Sequence, residues 1–221
     1  MSYRNWLCAV GVACASLFSL SATADFINPL VPAWRGTSAS DFYGWESFTS
    51  AFGGPNLPNY PGTEPGAALF NYGPGASLTT NGNIHSGGPL SVSVYGGLTG
   101  PVQEVILNLA SLGTIISSDS VQLTLADNSG NSLSVSPMWG ELRSSTETGG
   151  GYTQTRAYRW DIGWLPFAPT RFILDFASYG GNITLDAVSA DLRYAPIPAP
   201  GALALLAVSG LFGANGRRRR R

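Results

Sequence analysis

The chain has 221 residues, 44% of them hydrophobic and only 11% charged, where an average soluble domain carries about 25% charged residues. With 28 glycines and 15 prolines, it is neither a helical bundle nor a coiled coil. Its hydrophobicity and near-zero net charge of −1 also exclude wholesale disorder. All twelve basic residues are arginine, which removes lysine Schiff-base chemistry and the lysine-bearing phosphate loop.

Residues 1–24 have the layout of a secretory signal peptide. Arg4 gives the positive start, an apolar stretch runs from Trp6 to Leu20, and Ala22 and Ala24 occupy the small-residue positions before a cleavage point. Signal peptidase is the partner this implies, and Asp25 the new N-terminus; the alternative is an uncleaved anchor. Both cysteines, Cys8 and Cys14, lie inside this segment. The mature chain therefore has no disulfide and no thiolate metal site.

Residues 25–195 form the expected globular domain. Thirteen acidic residues face six arginines there, a net of −7, which disfavours nucleic acid as a partner. No long segment has helical periodicity. The stretch 41–75 is crowded with prolines and glycines yet carries Phe42, Tyr43, Trp45, Phe48, Phe52 and Tyr60. It is expected to be an ordered loop whose aromatics seal the core edge. Strand signals follow: alternation over 90–95 and 102–109, and a hairpin over 121–136 around the turn Asp127-Asn128-Ser129-Gly130-Asn131. Arg156 to Ile162 alternates again, and 171–177 and 182–194 flank Tyr179-Gly180-Gly181. The expected fold is all-β, an antiparallel β-sandwich of jelly-roll-like type, flanked by the signal helix and a short C-terminal transmembrane helix.

Residues 196–221 end the chain with a proline-rich motif, an apolar run over 202–214, and the block Arg217, Arg218, Arg219, Arg220 and Arg221. A helix over 201–216 would reach about 24 Å at about 1.5 Å per residue, a marginal span for a bilayer core of about 30 Å. The arginines would stay on the cytoplasmic side. Proline motif, apolar helix and arginine cluster in this order resemble the PEP-CTERM sorting signal of Gram-negative bacteria. Membership implies recognition by an exosortase-type sorting enzyme, transient membrane anchorage, and delivery to the cell surface or an exopolysaccharide matrix. The motif here is Pro198-Ala199-Pro200, with Ala199 where that family has glutamate. The run Trp34-Arg35-Gly36, Trp45-Glu46 and Phe52-Gly53-Gly54-Pro55 also resembles the passenger region of some planctomycete members, to which no activity is attached.

Catalytic signatures are sparse. His85 is the only histidine, and no Gly-x-Ser-x-Gly, His-Glu-x-x-His or phosphate loop occurs. A glycosidase needs just two carboxylates, for which Glu141 and Glu147 near Trp139 are the best candidates. Trp139, Tyr152 and Trp160, with Tyr158 and Trp164 beside them, are candidates for stacking on sugar rings. Asp186, in Ile183-Thr184-Leu185-Asp186, resembles the terminal strand of carbohydrate-binding jelly rolls, where such an aspartate helps hold structural calcium; the alternative is a bulge or turn contact. No other metal and no cofactor is expected. The sequence thus describes an exported, non-catalytic surface or matrix protein with polysaccharide as its candidate ligand. The alternatives are a small glycan-active hydrolase and a structural subunit of a surface assembly.

Overall fold

The computed structural model describes residues 26–163 and 165–195. Both expected terminal helices lie outside the described residues, with Ala22, Ala24, the Pro198-Ala199-Pro200 motif and the five terminal arginines; so does Trp164. The described chain is all-β, thirteen strands and one 3-10 turn (Ser118–Ser120). In chain order the strands are β1 (Ser40–Trp45), β2 (Gly53–Asn56), β3 (Ala67–Asn71), β4 (Ala76–Leu78), β5 (Ile84–Ser86), β6 (Ser91–Gly97) and β7 (Val102–Gly113). They continue with β8 (Gln122–Ala126), β9 (Ser132–Val135), β10 (Trp139–Thr148), β11 (Gly151–Asp161), β12 (Arg171–Ala177) and β13 (Ile183–Tyr194).

Two antiparallel sheets form a sandwich. The smaller has the order β2-β3-β6-β12-β8-β9. The larger has the order β10-β11-β7-β13-β5-β4, with β1 also pairing on β13. Strand β7 runs along one side of β13; β5 takes Ile183–Leu185 on the other side and β1 takes Val188–Arg193.

The core follows from alternation. Val92 and Val94 of β6, Leu123 and Leu125 of β8, and Phe172, Leu174 and Phe176 of β12 point inward from the smaller sheet. Val105, Leu107 and Leu109 of β7 and Tyr158 and Trp160 of β11 meet them from the larger one. Each such side chain contributes about 1.5–3 kcal/mol through burial. In β13 the inward set changes parity, from Ile183 and Leu185 to Val188, Ala190 and Leu192. A β-bulge at Asp186 causes it, since the register with β7 slips between Leu185 and Ala187. One extra residue turns every later side chain to the other face.

The segment 41–75 departs from the loop expected of it, for it supplies β1, β2 and β3. Its prolines obstruct none of them. Pro58, Pro61 and Pro65 fall between β2 and β3. Pro55 lies in edge strand β2, where a missing N–H is tolerated. Phe42, Tyr43, Trp45 and Phe48 are buried, Tyr60 meets Phe42 edge-on at 5.9 Å, and Phe52 points to solvent instead. Strand β10 is a further departure: nearly every residue is exposed, as an edge strand standing clear of the smaller sheet would be.

Residues 26–39 form no strand but cross the outer face of the larger sheet as a strap. Asn108 on β7 acts as its clamp: Oδ1 accepts from the Leu30 amide at 2.7 Å, and Nδ2 donates to the Leu30 carbonyl at 3.1 Å. The Ile27 amide donates to Thr155 Oγ1, Trp34 Nε1 donates to Glu104 Oε2, and Arg35 grips Asp191 with Nε and Nη2 at 2.5 and 2.7 Å. Phe26 packs on Ala110 and Ala187. The strap thereby buries a row of polar side chains that would otherwise face water, each with its partner supplied.

Candidate functional site

The two outer faces of the sandwich are therefore unlike. The larger sheet is capped by the strap; among the described residues no segment crosses the outer face of the smaller sheet. Strand alternation places Phe70, Tyr95, Ile173, Asp175, Gln122, Thr124 and Ser134 on the open face, and Tyr72 follows at the end of β3. Pairing sets them in cross-strand rows: Ala68, Tyr95, Ile173, Thr124 and Ser134 in one, Phe70, Ser93, Asp175 and Gln122 in the next.

Aromatic rings gather at the β3–β6 side. Phe70 and Tyr72 are nearly parallel, 7° apart with centroids at 6.1 Å, and Tyr95 stands edge-on to Phe70 at 5.5 Å. Tyr72 is 46% and Tyr95 37% exposed. The Tyr72 hydroxyl donates to that of Tyr95 at 3.5 Å, a contact that holds the Tyr72 phenol above its ordinary pKa. Beyond the rings the face carries Arg171 at the start of β12 and a band of hydrogen-bonded polar groups: Ser93 Oγ donates to Asp175 at 2.5 Å, the Thr124 and Ser134 hydroxyls meet at 2.7 Å, and Gln122 donates to Ser136. The result is an aromatic patch continuous with a hydroxyl-rich one, which suits a ligand with an apolar ring face and polar edges.

A second, concave feature lies on the opposite side of the molecule, where β10 and β11 meet the strap. A pocket of about 280 Å³ is lined by Leu30, Met138, Trp139, Glu141, Arg143, Arg159 and Asp161. Trp139 pairs with Arg159 and Glu141 with Ala157 on the outer face. A bulge at Arg143 turns that side chain toward the strap, where Nε donates to the Asn28 carbonyl at 3.2 Å and Nη1 to Glu141 at 2.8 Å.

The aromatic residues singled out from sequence are scattered. Trp139 is 39% exposed and lines the pocket; Tyr152, 48% exposed, is the second residue of β11, on the inner face. Trp160 is 1% exposed, with Nε1 donating to the Val135 carbonyl, so its ring belongs to the core and is closed to a ligand. Tyr158 is buried too, its hydroxyl 3.2 Å from Ser118 Oγ. Glu141 shares a face with Ala157 but Glu147 shares one with Tyr152. The Arg143 bulge divides them across the sheet, so they do not flank a common bond.

Asp186 is the bulged residue of β13, and its Oδ1 accepts from Asn83 Nδ2. Among the described residues no cluster of three or more His, Asp or Glu side chains is placed to hold a metal ion. His85 sits on β5, with Nδ1 3.0 Å from Thr184 Oγ1. Phe70, Tyr72 and Tyr95 escaped the sequence reading, although one signal was present: Tyr95 falls out of phase with Leu90, Val92 and Val94, on the face of Ser91 and Ser93.

No protein-family model matches the sequence, and no curated protein matches it. Among solved structures the chain is similar to the crystal structure of the enzymatically active domain of bacteriophage CBA120 tailspike protein 4, with 12% identity and a TM-score of 0.25. The match covers 71% of this chain and 19% of that one. A likeness at that level transfers neither fold nor activity.

Proposed function

We propose that the protein is an exported, surface-sorted and non-catalytic component of the bacterial envelope or exopolysaccharide matrix, and that it binds polysaccharide on the open face of its smaller sheet. The observation that carries this is the asymmetry of the sandwich: a strap covers one outer face, while the other leaves Tyr72 and Tyr95 exposed beside a band of side-chain hydroxyls. Aromatic faces stack on the apolar side of a pyranose, and neighbouring hydroxyls and amides take its polar edge. The net acidity of residues 25–195 directs the choice toward a neutral chain. The strand connections, most of which cross from one antiparallel sheet to the other, support a jelly-roll-like topology. Signal peptide and PEP-CTERM-like tail supply the route, through signal peptidase and an exosortase-type enzyme, with the C-terminal helix as transient membrane anchor.

The test has two arms. Fractionation of the producing cells, with mass spectrometry of both termini, should find the protein outside the inner membrane with Asp25 first; an intact chain in the cytoplasm overturns the export reading. In affinity electrophoresis through gels containing the producer's own exopolysaccharide, the wild type should be retarded and the Tyr72→Ala/Tyr95→Ala double variant should run freely. Equal mobility of the two overturns the assignment of the face. The free edge of β10 favours a structural subunit as the second reading, and concentration-dependent oligomers in sedimentation would support it.

A further inference from the structure

The pocket under Leu30 has a chemistry of its own. It is lined by Met138, Trp139 of β10 and Leu30 of the strap, together with two cations, Arg143 and Arg159, and two anions, Glu141 and Asp161. The cations are already neutralised. Arg143 is bound to Glu141 Oε2 and to Asn28; Arg159 is bound to Asp161 Oδ1 at 2.9 and 3.1 Å and to Glu104 at 3.0 Å. A phosphate or carboxylate ligand would have to displace these carboxylates, and a cationic ligand would have to displace the arginines.

What remains open is acceptor capacity. Among the described residues, Glu141 Oε1 and Asp161 Oδ2 accept no hydrogen bond, although the other oxygen of each carboxylate is held by an arginine. Two fixed acceptors beside an aromatic face suit the hydroxyls of a neutral sugar ring lying on that face, since carboxylates form strong bonds with O–H donors. The volume, about 280 Å³, is near the lower end for ligand pockets. It suits a single ring or a chain end, not an extended segment.

The pocket opens from the outer face of the larger sheet, whereas Tyr72 and Tyr95 lie on the outer face of the smaller one. With the sandwich between them, the two cannot share one straight stretch of polymer. We propose that the Trp139 pocket binds a neutral sugar unit and that, together with the open aromatic face, it makes the protein bivalent, so that one molecule bridges two polysaccharide chains. The bridging rests on the reading of the aromatic face given above; binding in the pocket does not.

The experiment uses the full mature protein, Trp139→Ala, Trp139→Phe and the Tyr72→Ala/Tyr95→Ala variant, with thermal melting as the folding control. Intrinsic fluorescence is titrated with methyl glycosides of glucose, galactose, mannose and N-acetylglucosamine. The wild type and the double tyrosine variant should saturate with at least one of them. Trp139→Ala should weaken that binding at least tenfold, and Trp139→Phe should keep part of it. No saturation with any glycoside, or equal affinity in Trp139→Ala, overturns the pocket. Bridging is read separately, as turbidity of the producer's exopolysaccharide mixed with protein. Trp139→Ala should still be retarded in affinity electrophoresis but should lose turbidity. Turbidity unchanged in Trp139→Ala overturns bivalency while leaving the aromatic face standing. If the wild type is not retarded at all, the aromatic face and the bridging fail together, and the glycoside titration still decides the pocket.

Discussion

Replacing Arg35 by methionine removes one half of the ion pair that fastens the strap to β13. The geometry is bidentate, with Nε and Nη2 at 2.5 and 2.7 Å from the two Asp191 oxygens. The Asp191 side chain is wholly buried and that of Arg35 is 23% exposed. Breaking a buried pair from one side costs about 3–5 kcal/mol, because the remaining charge is left unsolvated. Methionine keeps part of the packing that the guanidinium makes on Phe42, whose ring centroid lies 4.0 Å away, so the lower figure applies. For a chain of this size about 3 kcal/mol corresponds to a fall in Tm of about 6–12 °C.

The pH dependence is a sharper check. Burial already raises the Asp191 carboxyl above its ordinary value, outweighing the hydrogen bond and charge of Arg35, which lower it. Without Arg35 it rises further. A carboxyl with a raised folded pKa binds its proton more readily in the native state than in the unfolded chain. Stability from this site is therefore greatest in acid and falls as pH climbs through the unfolded value, about 3.9, to the folded one. Urea unfolding of wild type and Arg35→Met at matched pH should show a deficit largest near pH 7 and shrinking toward pH 4. Adding Asp191→Asn should recover part of the neutral-pH loss. A deficit below about 1 kcal/mol, or one constant across that range, refutes the argument.

Trp160→Ala should cost about 3–5 kcal/mol in urea unfolding as a cavity in the core, whereas Trp139→Ala, on the exposed edge, should stay within about 1 kcal/mol. Gly181→Ala should lower stability by about 1–3 kcal/mol, because a Cβ there runs into the backbone carbonyl of Gly87. Gly180→Ala, with open space around the same position, should fall within about 0.5 kcal/mol of wild type. In the β8–β9 turn, the Asn131 side chain foremost, with backbone amides including those of Ser129 and Asn131, holds the Asp127 carboxyl below its ordinary pKa. That contribution is present at neutral pH and is lost as pH falls below the usual aspartate range. Amide exchange of Asn131 should therefore gain more protection between pH 3 and pH 5 than Asp127→Asn does, after correction for intrinsic rates.

Strands buried on one face announced themselves. Val92 and Val94, Leu123 and Leu125, and Phe172, Leu174 and Phe176 alternate with polar residues because one side of each strand meets the core and the other meets water. Even the Asp186 bulge leaves a trace, in the step of three residues, where two is the rule, from Leu185 to Val188. Strand β10 left none, since Trp-Gly-Glu-Leu-Arg-Ser-Ser-Thr-Glu-Thr is wet on both faces and has no alternation to display. The strap was invisible for another reason: its partners are single side chains, Asn108 and Asp191, lying 78 and 156 positions away from Leu30 and Arg35. Proline density misled the reading of 41–75, because it marks the connections and an edge strand and says nothing about the short clean run at β3. The aromatic face was half readable. Tyr95 was out of phase, but its neighbours Phe70 and Tyr72 come from that misread segment, and only strand pairing brings them together.

The pairing of β1 with β13 has a consequence in time. Ser40 sits opposite Arg193 and Trp45 opposite Val188, and Arg35 waits for Asp191. Strand β1 and Arg35 therefore have no partners to settle on until the last strand has been synthesised. High contact order slows folding further, because loop closure must be met before any long-range contact rewards it. A chain wired in this way completes its larger sheet only after its last strand has left the ribosome.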